Sequence, residues 1–275
     1  MSFGTANSPP MLPWVPGASM DLKELPQHAF ERHPWEIARA DFYLRLLREN
    51  ITKTSLSALD MGSGDGYFAR RLLADLPTVT RVTCFDPGYD AAWLAEQVHG
   101  DPSLAFTAQR PRGTFDLVLL LDVLEHAADD QALLADASAS GAQPGGWLLL
   151  SAPAHPLLFS HHDELLGHRR RYAPARLRAL AVAAGVDVVA HGQLFASLLA
   201  PRALAKLGET ARGARATAAP AAGRIETTLG TWHHGAMVTA AVKTMLALDA
   251  TASRFAANWQ LPLPGLSTWV LARRP

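Results

Sequence analysis

The sequence holds a single cysteine, Cys84. That excludes an intrachain disulfide framework and a zinc site built from cysteines. Cys84 stands in an apolar stretch, where a free thiol packs as a small hydrophobe rather than reacting. No apolar run reaches the roughly 18 residues needed to span a bilayer. The first residues lack a basic segment followed by an apolar run, so no secretory leader is expected. A cytoplasmic, reducing location is expected. Charge of one sign is lacking too: 25 basic and 25 acidic residues give a formal net charge of zero. No global field therefore draws the chain to nucleic acid or to an anionic membrane, and no nucleic-acid partner is expected. Internal repeats are absent. What is present is apolar bulk, 49% of 275 residues, enough to bury a full core.

Ser2 to Pro26 carries five prolines and no periodicity, so residues 1–30 are expected to form an extended arm. Trp35, Ile37, Phe42, Leu44, Leu46 and Leu47 predict a helix to about Glu49, with Pro34 near its start. A strand over Ser55–Asp60 is followed by a helix over Tyr67–Leu76, whose stripe is Phe68, Leu72, Leu73 and Leu76. A strand over Val79–Phe85 precedes a helix over Ala91–Val98, and a weak strand follows at Leu104–Thr107. Phe115–Leu121 is a continuous apolar run, as in a strand covered on both faces. A helix over Asp129–Ala139, a loop over Gly141–Gly146 and a buried strand over Trp147–Ser151 come next. A helix over Pro174–Ala184 and a strand over Val186–Ala190 follow a polar, His-rich segment. This alternation predicts a Rossmann-like, doubly wound, mostly parallel sheet with right-handed crossovers.

At its centre stands Asp60-Met-Gly62-Ser63-Gly64-Asp-Gly66. An acid ending a strand, three close glycines and then a helix bring the main chain against a nucleotide-like ligand, held outside the carboxyl edge of the sheet. A dinucleotide fingerprint wants G-x-G-x-x-G. Tyr67 follows Gly66, so that spacing fails, which weighs against a nicotinamide-dependent oxidoreductase. The stretch closely resembles the first motif of class I S-adenosylmethionine (SAM) dependent methyltransferases. Asp86 after the second strand, Phe115-Asp116 opening the fourth, Asp122-Val-Leu-Glu125-His126 after it and Pro144-Gly145-Gly146 before the fifth agree. The resemblance covers about Trp35 to Ala190. It implies a seven-stranded sheet with an antiparallel last strand and SAM as cofactor. It also implies that Gly62, Ser63, Gly64 and Gly66 approach the methionine part and that Asp60 organises that end. Asp86, with Pro87 beside it, would take the ribose hydroxyls, since a carboxylate is a two-oxygen acceptor. Leu121 and Asp122 would complete the contacts. Trp35 and Arg39 would close over SAM, Arg39 pairing with its carboxylate; plain packing is the other reading of Trp35.

Methyl transfer from a sulfonium asks the protein chiefly for proximity and alignment, and an acidic nucleophile also asks for a base. Two stretches offer one: Asp122 to His126, and Ser160-His161-His162-Asp163 with Gly167-His168-Arg-Arg-Arg171-Tyr172. Their layout resembles that of ubiquinone-pathway O-methyltransferases and small-RNA 2′-O-methyltransferases. It is also similar to bacterial methyltransferases with H-D-x-x-x-G-H-x-R-R-Y. Carried over, Asp122, Glu125, His126 and His162 would hold a divalent metal. Without a metal, His126 or His162 is the expected base; the other reading is that the Glu125-His126 pair only shapes the pocket. His155, His161 and His168 are equally readable as solvated loop residues. Arg169 to Arg171 form a solvated face or meet an anionic acceptor.

Gln193 to Gly265 intervene before a final strand at Leu266–Ala272. So long a segment is a functional element or a cap. A helix over Gln193–Leu207 interrupted at Pro201, a mobile joint over Gly208–Gly223 and a long helix over Gly235–Trp259 are expected. Leu194, Phe195, Leu198, Leu199, Met237, Val238, Met245 and Leu246 suit an apolar acceptor, a homodimer contact or packing on the domain. The expectation is one domain over residues 1–275, with residues 193–265 as a helical cap. Its reaction is SAM-dependent methylation of an oxygen or nitrogen on a small molecule. The alternatives are metal-assisted O-methylation of RNA or of a lipid-like or quinone-like acceptor, and NAD-dependent oxidation and reduction.

Overall fold

The fold is that of a computed structural model describing residues 32–97, 100–213, 232, 234–259, 261 and 263–275. The N-terminal arm and the joint beyond residue 213 lie outside the described residues. Helix α1 (Pro34–Asn50) starts where the Trp35 backbone N–H donates to His33 Nδ1 (3.2 Å) and Pro34 takes the first turn, where its missing N–H costs nothing. Phe42, Tyr43, Leu46 and Leu47 form its buried stripe. Then follow β1 (Leu56–Met61), α2 (Tyr67–Asp75), β2 (Val79–Phe85), α3 (Ala91–Gln97), β3 (Leu104–Thr107), β4 (Phe115–Leu121), α4 (Asp130–Asp136), β5 (Ala142–Pro153), α5 (His161–Leu165), α6 (Pro174–Ala183) and β6 (Asp187–Leu194). The insertion contributes α7 (Leu199–Gly213) and α8 (Ala236–Asn258), and β7 (Ser267–Arg273) closes the order.

The strands form one seven-stranded sheet ordered β3-β2-β1-β4-β5-β7-β6. All neighbours pair parallel except β7, which runs antiparallel to β5 and β6. Alternation in β4 and β5 splits the core by face. Leu117, Leu119 and Leu149 pack with α1, α2 and Leu246 of α8. Val118, Leu120, Leu148 and Leu150 pack with Leu134 of α4 and Leu177 and Leu180 of α6. Both faces are covered, which is why these strands are apolar without interruption.

Three sequence readings change. Gly141–Gly146 is not a loop. Helix α4 runs through a π-helical turn (Ala137–Gly141) straight into β5. Between the pairs Phe115–Ala142 and Leu117–Trp147 the register shifts, so Pro144-Gly145-Gly146 is a bulge inside a strand. Gly145 takes φ +74°, which favours glycine. Gln193 begins no helix. Residues up to Leu194 continue β6, and α7 starts at Leu199, with Pro201 in its first turn rather than interrupting it. Gly208 to Gly213 belong to α7. Of the insertion's apolar residues, Leu194, Phe195 and Leu246 are buried and Leu198 packs against them, whereas Met237, Val238 and Met245 are exposed.

Strand β6 runs parallel to β5, so the insertion leaves it at the same carboxyl edge where β1, β2, β4 and β5 end. It is tied there by the Ala154 N–H donating to Leu266 O (2.8 Å). Asp249 of α8 accepts from the Ser197 N–H (2.8 Å), which fixes α8 to the turn before α7.

Candidate active site

After β1 the chain turns through Gly62 (φ +71°), Gly64 (φ +52°) and Gly66 (φ +73°). Space as well as angle is restricted. A Cβ at Gly62 would lie 2.7 Å from Val123 Cγ2, and one at Gly66 would lie 2.7 Å from the Phe106 ring. The loop is strapped to β2 by the Gly62 N–H donating to Phe85 O (2.7 Å). Asp60 and Asp86 are buried at the ends of β1 and β2. Asp86 accepts from the backbone N–H groups of Gly64 (3.3 Å) and Gly88 (2.8 Å), so its carboxylate bridges the two loops. Half-buried Pro87 starts the turn that returns Tyr89 to the loop. The Tyr89 hydroxyl donates to Gly64 O (2.6 Å) and lies 2.8 Å from Ser63 Oγ. Burial pushes Tyr89 well up. Tyr89 stacks on Trp93 at 4.2 Å, and both meet the edge of Phe106. The sequence reading missed this aromatic wall; the signal was Pro87-Gly88, a turn that folds back the next aromatic. Arg110 is held by Asp136 (2.7 Å).

Over the same edge lies the start of α1. Arg32 pairs with Asp65 and covers the Tyr67 ring at 4.0 Å. Arg39 lies 4.6 Å over the Trp35 ring and pairs with Asp122. Asp122 follows half-buried Leu121 with a positive φ of 57°. Its backbone N–H donates to Ser151 O (3.0 Å), and Ser151 Oγ donates to its carboxylate (3.0 Å). This backbone strain is held by the neighbouring strand, as occurs where function requires an unusual turn.

Beyond Asp122, Glu125, His126 and His168 come together, one possible ligand atom of each lying within 4.8 Å of the others. This is not the set the sequence suggested. Asp122 is turned to Arg39 and Ser151, and His162 is outside the group; His168 takes that place. The cause lies in α5. Residues 162 and 163 point about 100° apart on a helix, and the Asp163 carboxylate caps Ser160 and faces His168. Asp163 is fully buried. It accepts from His168 Nδ1 (3.0 Å), Arg171 Nε (2.8 Å) and Arg202 Nη2 (2.9 Å). Burial alone would raise its pKa, but the His168 hydrogen bond and the Arg171 charge hold it well below the usual carboxylate range. His168 Nε2 then faces Glu125 Oε1 at 4.0 Å, and the His126 ring meets the His168 ring edge-on at 4.8 Å. Burial, then His168, lower His126 to about 4. His162 is exposed; partial desolvation and then the Arg202 charge lower it. His155, at φ 60°, carries a buried Nε2 with no hydrogen-bond partner among the described residues. His161 is an exposed partner of Glu164.

The arginine run is tied into the fold: Arg171 is buried on Asp163, Arg170 is half-buried and Arg169 is exposed. Arg169 Nε donates to His126 O (3.1 Å), and Arg170 donates to Ala127 O (2.9 Å) and pairs with Asp130 (3.0 Å). The buried Tyr172 hydroxyl lies 2.9 Å from Asp130 and 3.0 Å from Leu124 O. The run thus laces the histidine loop to the turn after β4.

A family model described as a methyltransferase domain matches residues 32–211, from α1 into α7. The chain belongs to the SAM-dependent methyltransferases. Among solved structures, it is similar to phosphoethanolamine N-methyltransferase 2 of Haemonchus contortus in complex with SAM. The TM-score is 0.53 at 16% identity, over 94% of this chain and 57% of that one. It is likewise similar to a SAM-dependent methyltransferase of Mesorhizobium loti, with a TM-score of 0.52 at 15% identity, over 86% of this chain and all of that one. At such identity the likeness is one of fold. No curated protein matches the sequence significantly. The glycine cradle, which a Cβ would fill, fits a ligand that must lie against the main chain. No described helix is long and apolar enough to cross a membrane.

Proposed function

We propose that this methyltransferase acts on an oxygen or nitrogen of a small molecule, and that His168, backed by Asp163, takes the acceptor's proton. The observation that carries the reading is the Asp163–His168 hydrogen bond beside Glu125 and His126. With Nδ1 donating to Asp163, the proton is fixed on that nitrogen and Nε2 is left as the acceptor. SAM supplies the electrophilic methyl group when bound. Asp60, Gly62, Ser63, Gly64 and Gly66 hold its methionine part. Asp86 and Pro87 take its ribose, with Tyr89 behind them. Leu121 and Asp122 bound it on the acceptor side. Trp35 and Arg39 lie over the mouth, where the donor's carboxylate competes with Asp122 for Arg39. The acceptor enters between the β4 turn, the histidine loop and the insertion.

The test is transfer of labelled methyl from SAM to a panel of phenols, catechols and amines, followed by His168→Gln on the best acceptor. Turnover should fall by a factor of about 100 or more, the usual worth of a positioned base, with SAM affinity within twofold of the parent. Unchanged turnover would remove His168 from the chemistry. A matching loss of SAM affinity would move it to the donor side.

A further inference from the structure

Helix α8 has two apolar faces, and the fold uses one. Thr239, Leu246 and Ser253 are buried, and Val242, Ala250 and Ala257 pack against the α1 side of the core. The opposite face carries Met237 (88% exposed), Met245 (39%), Leu248 (67%), Phe255 (65%) and Trp259 (67%), with Ala241 and Ala252 exposed between them. From Ala241 onward the steps are 4, 3, 4, 3 and 4 residues. They average the 3.6 of an α-helix, so the stripe runs straight for about 33 Å from Met237. It bears no charge, because the charges of α8 are Lys243, Asp249 and Arg254, all off the stripe.

The order along the stripe is close to palindromic about Leu248. Met237 and Trp259 each lie 11 residues from it, and Ala241 and Phe255 each lie 7. Met245 and Ala252 lie 3 and 4 away. Laid antiparallel on a second copy, Leu248 meets Leu248. Phe255 covers Ala241, Met245 faces Ala252, and Trp259 reaches Met237. Large residues then oppose small ones at the Phe255–Ala241 and Met245–Ala252 levels, between a Leu248 pair on the axis and a Met237–Trp259 contact at each end, which gives the self-complementarity a two-fold interface requires. We propose that this face of α8 is the contact with a second copy of the chain, two α8 helices crossing antiparallel at Leu248. A stable interface needs about 800 Å² per partner; an aromatic side chain buries about 150–250 Å², and Val238 and Leu261, both exposed, extend the patch. A membrane fits less well. A helix lying on lipid keeps a cation-rich polar face towards water, whereas the other face of α8 is packed on its own chain and Arg254 is paired with Glu49.

The mass of the full-length protein in solution tests this, by sedimentation at micromolar to 100 µM concentration. A dimer is expected. Leu248→Glu, which sets two carboxylates at the axis, should give a monomer with unchanged circular dichroism and SAM affinity. Leu248→Cys supplies a second readout, because Cys84 is buried. Mild oxidation should join it into a covalent dimer at least tenfold faster than Leu204→Cys, an exposed site on α7. A wild-type monomer at 100 µM, or equal cross-linking at the two positions, overturns the proposal. So does co-sedimentation of wild type with phosphatidylcholine–phosphatidylglycerol vesicles that Leu248→Glu abolishes, which would make the stripe a lipid contact.

Discussion

Asp163→Ala is the substitution on which the local architecture is most exposed to refutation. The carboxylate is fully buried and joins three side chains from two places, the guanidinium groups of Arg171 and Arg202 and the ring of His168. His168 and Arg171 come from the loop after α5, and Arg202 comes from α7. Its removal leaves Arg171 buried without its counter-charge and removes the cap of Ser160. Breaking a buried pair by deleting one partner costs about 3–5 kcal/mol, and for a chain of this size each kcal/mol moves Tm by about 2–4 °C. A fall of roughly 6–20 °C in Tm is therefore expected, read by calorimetry or by urea titration. The pH dependence adds a second check. Asp163 has a folded pKa depressed below its unfolded value near 3.9. Its contribution is therefore complete above that unfolded value and is lost only as pH falls through the lower folded one. The gap between wild type and Asp163→Ala should stay constant from pH 8 to about 5 and narrow in strong acid. A loss under about 1 kcal/mol at pH 7, the range of an exposed pair, would mean that His168, Arg171 and Arg202 do not converge on Asp163 in solution.

Two further outcomes are expected. Gly66→Ala forces a side chain into φ +73° and against Phe106, costing about 1–2 kcal/mol for the backbone alone; calorimetric titration with SAM should show affinity reduced about tenfold or more, and a change under twofold would detach the loop from donor binding. Because burial beside His168 lowers His126 to about 4, its ring should stay neutral on acidification until pH approaches 4. NMR titration of its ring protons giving a midpoint near the ordinary 6.5 would refute that burial.

The parts of the fold legible in the sequence are those written in local pattern. Phe115–Leu121 reads as a strand because both its faces are covered, and Gly62 to Gly66 reads as a cradle because Gly62, Gly64 and Gly66 each take a left-handed backbone angle. Pro144-Gly145-Gly146 reads as a loop on local grounds, and only the pairing of β4 with β5 makes it a bulge. Choosing His168 over His162 required the direction of the Asp163 carboxylate, which the turn after α5 sets. The arginine run looks like a charged surface until the partners arrive from 40 residues upstream. Arg202 carried no signal, because its partner lies across the insertion.

Arg202 also decides how the molecule can be re-engineered. An insertion that only roofed the pocket could be exchanged between relatives as a cassette to alter which acceptor is methylated. Here the cassette contains one of the ligands of a carboxylate in the layer beneath, and Asp249 of α8 pins its other half to the turn leaving β6. A chimera with a foreign insertion would inherit an Asp163 short of one of its three partners and a loosened histidine loop. It would first lose catalytic competence, whatever acceptor its new roof admitted, unless Arg202 and Asp163 were transplanted as a pair.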